Sequence, residues 1–397
     1  MVRRWCHWCG AAFLMWLVGV AGAWIPVSGQ GAIQIVRKDT AIRYPHSVTF
    51  RLSAASSAAP ITEARLYWQA GPQDVFNVRF VAFSPAYSVS LEVPLSTQLL
   101  SLPPFARITY RWQIRDGQGN TVVTENETFE YADNRKNWQE TANERLRMLW
   151  YGLDDALVAE LFAVADQSYQ QLAADFGVTL ERHPLVLLYP DRQAFEEFQD
   201  LMSNVEFVVG RYFPGHNIIA CLVTPDLPRE LLMDTLAHEL SHLYSDNYYV
   251  GYTRLPLWLE EGLSTYHESA DLSDELALVQ RAAAQQRLVP FIELPVAIRA
   301  NNIHTANLAY AEGATVFAFI HEMWGQESVV DFLGAFRRTT HVDTAMRDVF
   351  GLGMADFEMA WRAWLGYPVE QVPQAVPTPT LIPLLLPTPT YLPPGGN

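Results

Sequence analysis

The residues that could do chemistry are Leu236-Ala237-His238-Glu239-Leu240-Ser241-His242-Leu243. Two histidines four positions apart share one face of a helix, about 6 Å apart along its axis, so both imidazoles can converge on one cation. Glu239, beside the first histidine, can reach a water held by that cation rather than the cation itself. With ten histidines among 397 residues, this pattern arises by chance on the order of 0.01 to 0.02 times per chain. A chance pair of core or surface histidines is therefore the weaker reading. Catalytic zinc takes three protein ligands and keeps a fourth position open. Downstream, Leu257-Trp258-Leu259-Glu260-Glu261-Gly262-Leu263 supplies carboxylates, and eighteen residues separate His242 from Glu261. That length lets the chain leave the first helix and return as a second helix packed antiparallel beside it. Asn247, Gly251 and Pro256 suit the turn between them.

His238-Glu239-x-x-His242, eighteen residues and then Glu261-Gly262 resembles the gluzincin zinc metallopeptidases. Leu257-Trp258-Leu259-x-Glu261-Gly262-Leu263-Ser264 is similar to the bacterial peptidase MA-like domain, which is related to the aminopeptidase N family. The resemblance implies one Zn2+ per chain held by His238, His242 and Glu261, a peptide or protein substrate, and Glu239 as general base for metal-assisted hydrolysis. Neighbours on a helix point about 100° apart, so only one of Glu260 and Glu261 can face the metal. The family spacing selects Glu261 and leaves Glu260 as a solvated surface carboxylate. Glu268, seven residues on, falls on the same helix face, where it either orients a ligand or faces solvent. Nothing in the spacing asks for His267. Ala309-Tyr310-Ala311-Glu312-Gly313-Ala314 resembles a Tyr-x-x-Gly segment of the family. The resemblance implies that Tyr310 donates a hydrogen bond to the oxyanion, against a plain reading as a core tyrosine at a helix start. The metzincin pattern fails, since Ser245 and Tyr248 stand where it requires Gly and His. The Gly-x-Met-Glu-Asn segment by which aminopeptidase N relatives grip a free amino terminus has no counterpart. The corresponding stretch is Val209-Gly210-Arg211-Tyr212-Phe213-Pro214-Gly215, and residues 217–223 are expected to form the edge strand that pairs with an extended substrate.

The elements that must position these residues form a multidomain chain. Arg3 and Arg4 followed by an apolar stretch at 9–27 read as a signal peptide or membrane anchor over residues 1–31, and hence as an exported, extracellular or cell-surface protein. Residues 32–135 show short alternating segments separated by turn signals, which predicts an all-β sandwich of the immunoglobulin or fibronectin kind with Trp112 in its core. Residues 136–370 pass from strands to helices, the pattern of an α+β, mainly helical unit; the resemblance makes this a thermolysin-like metallopeptidase domain. Helices are predicted at 154–176, 229–246, 256–270, 273–286, 307–324, 328–338 and 355–365. Residues 371–397 repeat Pro-Thr-Pro-Thr and read as a disordered tail. Cys6 and Cys9 lie in the leader. Cys221 sits in an apolar run and reads as a small buried hydrophobe. A net charge of -16 argues against nucleic acid as a partner. Two other functional classes stay open: a non-catalytic cell-surface binding protein that keeps the fold and a metal, and a zinc hydrolase of a non-peptide substrate. Retention of Glu239 beside both histidines counts against the first, because a structural site is normally closed by a fourth protein ligand.

Overall fold

The computed structural model describes residues 31–71, 75–97, 102–197, 209–249, 251–268, 271–300 and 302–366. The leader or anchor, except Gly31, and the Pro/Thr tail fall outside them. No helix among the described residues is long and apolar enough to cross a membrane.

The chain begins with two antiparallel sheets face to face. One has the order β1 (Ile33–Arg43), β2 (Ser47–Ser56), β5 (Ser88–Ser96). The other runs β4 (Asn77–Phe80), β3 (Ile61–Ala70), β6 (Arg107–Asp116), β7 (Thr121–Val123), with β8 (Glu127–Glu130) also pairing with β6. Every second residue of β2, β3 and β6 is buried, as the period of two demands of a strand wet on one face. Val48, Phe50, Leu52, Leu66, Ile108 and Trp112 fill the space between the sheets. Trp112 is fully buried, as its alternating strand predicts. The sequence reading passed over β1, whose pattern is mostly half-exposed, and joined β7 and β8 into one strand.

A third sheet carries the rest of the molecule. Its order is β12 (Gly210–Phe213), β13 (Ile218–Leu222), β11 (Leu185–Tyr189), β10 (Arg147–Trp150), β9 (Gln139–Ala142). The three central strands run parallel and the two edges antiparallel. α1 (Asp155–Phe176) connects β10 to β11; Asp154 caps it through the amides of Ala156 and Leu157, and Gly177 ends it at φ +65°. β11 and β13 are buried on both faces. Val186, Leu188, Ile219 and Cys221 face the helices. Leu185, Leu187, Ile218 and Ala220 alternate with them and face a smaller cluster with Phe105 of the sandwich. Cys221 is the buried hydrophobe its surroundings suggested. Residues 217–223, expected at the edge, instead contain the interior strand β13; the edge is β12. The interior place goes to the strand that is apolar throughout, Ile218–Leu222, while Gly210–Phe213 carries Arg211 and is mostly half-buried.

Helices follow: α2 (Arg192–Glu196), α3 (Arg229–Tyr248), α4 (Leu257–Glu268), α5 (Ser273–Ala284), α6 (Leu294–Ala297), α7 (Ile303–Trp324), α8 (Gln326–Ala335), α9 (Val342–Phe350) and α10 (Met354–Trp364). α7 starts four residues before its predicted position because Asn302 caps it at the amides of His304 and Thr305. The short helices α6 and α9 were not predicted. The architecture is the expected one: a β-sandwich followed by an α+β, mainly helical unit.

A buried acid on α7 has no ion-pair partner among the described residues. Glu312 on α7 has no exposed surface; one carboxyl oxygen accepts from the Val289 amide at 2.9 Å and the other has no partner. Arg362, the nearby cation, is bound to Glu358. Burial therefore holds Glu312 well above the usual 4.5 and neutral in the fold. The unfolded chain releases this proton above about pH 4.5 while the fold retains it, so the fold loses stability as pH rises from there toward the folded value. Glu312→Gln, which fixes the neutral form, is expected to melt with the parent near pH 5 and above it at pH 8. Melting temperatures across pH check this; an offset that does not change with pH would mean that Glu312 is ionised in the fold.

Candidate metal centre

Leu232, Leu236, Leu240 and Leu243 form the buried stripe of α3. That stripe fixes the helix rotation and turns His238 and His242 toward α4. The two Nε2 atoms stand 3.0 Å apart. Glu261 Oε2 lies 3.4 Å from His238 Nε2 and 3.3 Å from His242 Nε2. Ligands about 2.05 Å from a tetrahedral zinc stand about 3.3 Å from one another. The three atoms therefore form one face of such a tetrahedron, and the residues fit a zinc ion with its fourth corner open.

The electrostatics agree. Burial alone would lower His238, but the carboxylates of Glu261 and Glu268 lift it to about 9. Burial also opposes charge on His242, and Glu260 and Glu261 lift it to about 10. Burial pushes Glu261 up, and the two imidazoles more than reverse this, holding it well below the carboxylate range. The triangle is built to contain positive charge.

Each histidine has a carboxylate behind it. His238 Nδ1 donates to Glu268 Oε1 at 2.6 Å, which leaves Nε2 as the lone-pair nitrogen. Glu268 is therefore not a solvent-facing charge. Glu260 is likewise not the surface carboxylate the sequence suggested: its side chain is 15% exposed and its Oε1 lies 3.6 Å from His242 Nδ1. The 100° between neighbours places Glu260 and Glu261 on opposite edges of one imidazole. His267 turns away, with Nε2 2.5 Å from the buried Asp175 carboxylate and Nδ1 on the Leu263 carbonyl.

Glu239 lies against Gly210 at the sheet edge, and burial raises its carboxyl. Gly210 makes this possible: a Cβ there would stand 2.4 Å from Thr235 Cγ2 and 2.7 Å from Glu239 Cγ. A cleft of about 300 Å³ opens beside them, lined by Val209, Gly210, Asp234, His238, Glu239 and Glu268. Tyr310 enters from α7 with its ring 6.4 Å from that of His238. Burial first, then the Glu261 carboxylate, raise its phenol, which stays a donor. The structure thus brings together all five predicted site residues. Gly210, Tyr212 and Glu260 were missed; the one signal for them was a glycine beside an aromatic in the strand before the histidine helix.

The crossing of α4 and α7 sets this geometry. A Cβ on Gly262 would stand 2.5 Å from Gly313 Cα, and one on Gly313 would stand 2.7 Å from the Trp258 carbonyl oxygen.

The family described as the Peptidase MA superfamily matches residues 164–367. Among solved structures, OgpA from Akkermansia muciniphila is 12% identical over 26% of this chain and 29% of its own, with a TM-score of 0.21. An M1 zinc metallopeptidase from Deinococcus radiodurans is 13% identical over 87% of this chain and 96% of its own, with a TM-score of 0.35. Legionella pneumophila aminopeptidase A, solved with aspartic acid, is 10% identical over 84% of this chain and 50% of its own, with a TM-score of 0.35. The chain thus spans under a third of the first and half of the last. No curated protein matches.

Two outcomes follow for folded protein. Gly262→Ala is expected to lower unfolding free energy in urea by about 3 kcal/mol, since backbone rather than a flexible side chain must yield. Glu268→Gln is expected to weaken zinc binding by about 10-fold or more in chelator competition while leaving the melting temperature of the metal-free protein near the parent's. Parent-level zinc affinity would show that Glu268 does not orient His238.

Proposed function

The chain belongs to the Peptidase MA superfamily, and on that premise we propose that it is a zinc-dependent peptidase working through an activated water. His238, His242 and Glu261 would hold the ion. When bound, zinc supplies Lewis acidity, polarising a scissile carbonyl and making a nearby water acidic near pH 7.

The chain's own residues do the rest. Glu239 takes the proton of the attacking water and delivers it to the leaving amine. Its raised carboxyl, caused by burial, suits a group that must both accept and return a proton near neutrality. Tyr310 keeps its phenolic proton and donates toward the oxyanion that develops on the scissile carbonyl. Glu268 fixes the tautomer and plane of His238. The cleft beside Gly210 admits substrate along the open edge of β12.

The observation that carries this reading is the triangle of two Nε2 atoms and one carboxylate oxygen with sides of 3.0, 3.3 and 3.4 Å. A carboxylate that is not part of the triangle stands directly beside it. A purely structural zinc site would be closed by a fourth ligand and would not need Glu239.

The purified protein is expected to contain close to one zinc per chain and to cleave unfolded casein in a chelator-sensitive way. Glu239→Gln should keep the zinc and lose about 10³-fold in turnover. Elemental analysis and a peptide-library digest measure both. Full zinc with no peptide cleaved would remove the peptidase reading, and unchanged turnover in Glu239→Gln would remove Glu239 as the base.

A further inference from the structure

The two zinc-facing histidines are oriented by different means. His238 has a 2.6 Å hydrogen bond from Nδ1 to Glu268. His242 has no such anchor: its Nδ1 makes no hydrogen bond, and the Glu260 carboxylate stands off at 3.6 Å. What His242 has is a ring on its face. Tyr212 lies against it with centroids 5.3 Å apart and planes 20° from parallel.

The position of Tyr212 follows from strand register. The Leu222 amide donates to the Val209 carbonyl at 2.8 Å, and Gly210 to Phe213 pair in order with Cys221 to Ile218. In an antiparallel ladder the bonded pairs alternate. Val209, Arg211 and Phe213 therefore bond inward to β13, and Gly210 and Tyr212 turn their backbone groups to the open edge. The same period of two turns Gly210 and Tyr212 to the α3 side. Gly210 leaves room there for Glu239. The Tyr212 ring covers His242. The hairpin turn is tied to the end of α3: the Gly215 amide donates to Asp246 Oδ2 at 2.8 Å, and Asn247 Nδ2 donates to Asn217 Oδ1 at 2.9 Å. Strand and helix are thus held in one register, and the stack is not a chance contact of a mobile edge.

We infer that Tyr212 is a positioning residue of the metal centre: its ring, held by the edge strand, sets the plane of His242. The inference rests on the peptidase reading for the role of His242. The ring is the working part for His242. An offset aromatic stack restrains ring rotation, and the phenolic oxygen takes no part in it.

The test uses full-length protein carrying Tyr212→Phe or Tyr212→Leu. Zinc affinity is read by competition with a chromogenic chelator, and kcat and KM are read on a peptide taken from the library digest. Tyr212→Phe is expected to stay within about 2-fold of the parent in all three. Tyr212→Leu is expected to lose about 10-fold in zinc affinity and about 10-fold in kcat, with KM changed by less than about 2-fold. Melting of the metal-free Leu variant close to the parent separates this from a general loss of structure. Parent-level zinc affinity in a folded Leu variant overturns the inference, as does an equal loss in both variants, which would place the role on the hydroxyl. Should the Leu variant not fold, the Phe variant decides alone: parent-level affinity sustains the ring's role and a ten-fold loss ends it. Zinc affinity is read without turnover, so a parent that cleaves no peptide sinks the peptidase reading without deciding this one.

Discussion

Where α4 crosses α7 there is no room for a side chain on either helix. Gly262 and Gly313 bring the two backbones together, and a methyl group on Gly262 would meet main-chain atoms at 2.5 Å. Ordinary carbon contact begins near about 3.5 Å, so any larger residue parts the helices by roughly 1 Å. Metal distances tolerate about 0.2 Å. Glu261 is the residue before Gly262, and Tyr310 lies one turn before Gly313. One backbone contact therefore places both Glu261 and Tyr310 beside the histidine pair. The motif residues around the site are thus of two kinds. Some do chemistry, and the glycines beside them let the helices come close enough for it.

The centre itself is an electrostatic problem with one good solution. Four carboxylates, Glu239, Glu260, Glu261 and Glu268, surround two imidazoles in a half-buried pocket and pull positive charge onto them. Two protons could supply it, but on nitrogens 3.0 Å apart they repel by about 5 kcal/mol at an effective dielectric of about 20. A single divalent ion held by the three atoms would supply the same charge and use all three lone pairs. Glu268, one of the carboxylates that lift His238, is also the one hydrogen-bonded to its Nδ1.

Much of this was legible in the sequence because it is local. His238, Glu239 and His242 are three positions on one helix, and the eighteen-residue return to Glu261 is set by chain length. The cap at Asp154 and the stop at Gly177 are read from single residues. What was not legible depends on how elements lie across one another. Glu260 looks like a surface acid until α4 is laid over His242 and the two adjacent carboxylates straddle the ring. The edge of the sheet was assigned to 217–223 on the family resemblance, and the pairing shows that β12 lies outside β13. Tyr212 gives no signal by itself; its meaning comes from register and from the hairpin's tie to α3. β1 was missed for a simpler reason: its residues lack a clean alternation of buried and exposed positions.

The sandwich belongs to the same chain of support. Phe105 packs edge-on against Trp138, and Trp138 against Tyr151 and Tyr189; with Ala194 and Phe195 of α2 they cover the face of the third sheet that is turned away from α1 and α3. Without that cover Leu185, Leu187 and Ile218 would meet water, which is why β11 and β13 read as unbroken apolar runs instead of alternating ones. A second contact reaches closer to the centre. A Cβ on Gly71, at the end of β3, would stand 2.9 Å from the Gly215 carbonyl oxygen, so the sandwich turn rests directly on the β12–β13 hairpin. Gly215 is bonded to Asp246 in the last turns of α3, one helical turn beyond His242. The sandwich, the edge hairpin and the histidine helix thus meet through consecutive contacts at Gly71, Gly215 and the Asp246 carboxylate. A sandwich that only tethered the catalytic unit would need none of them.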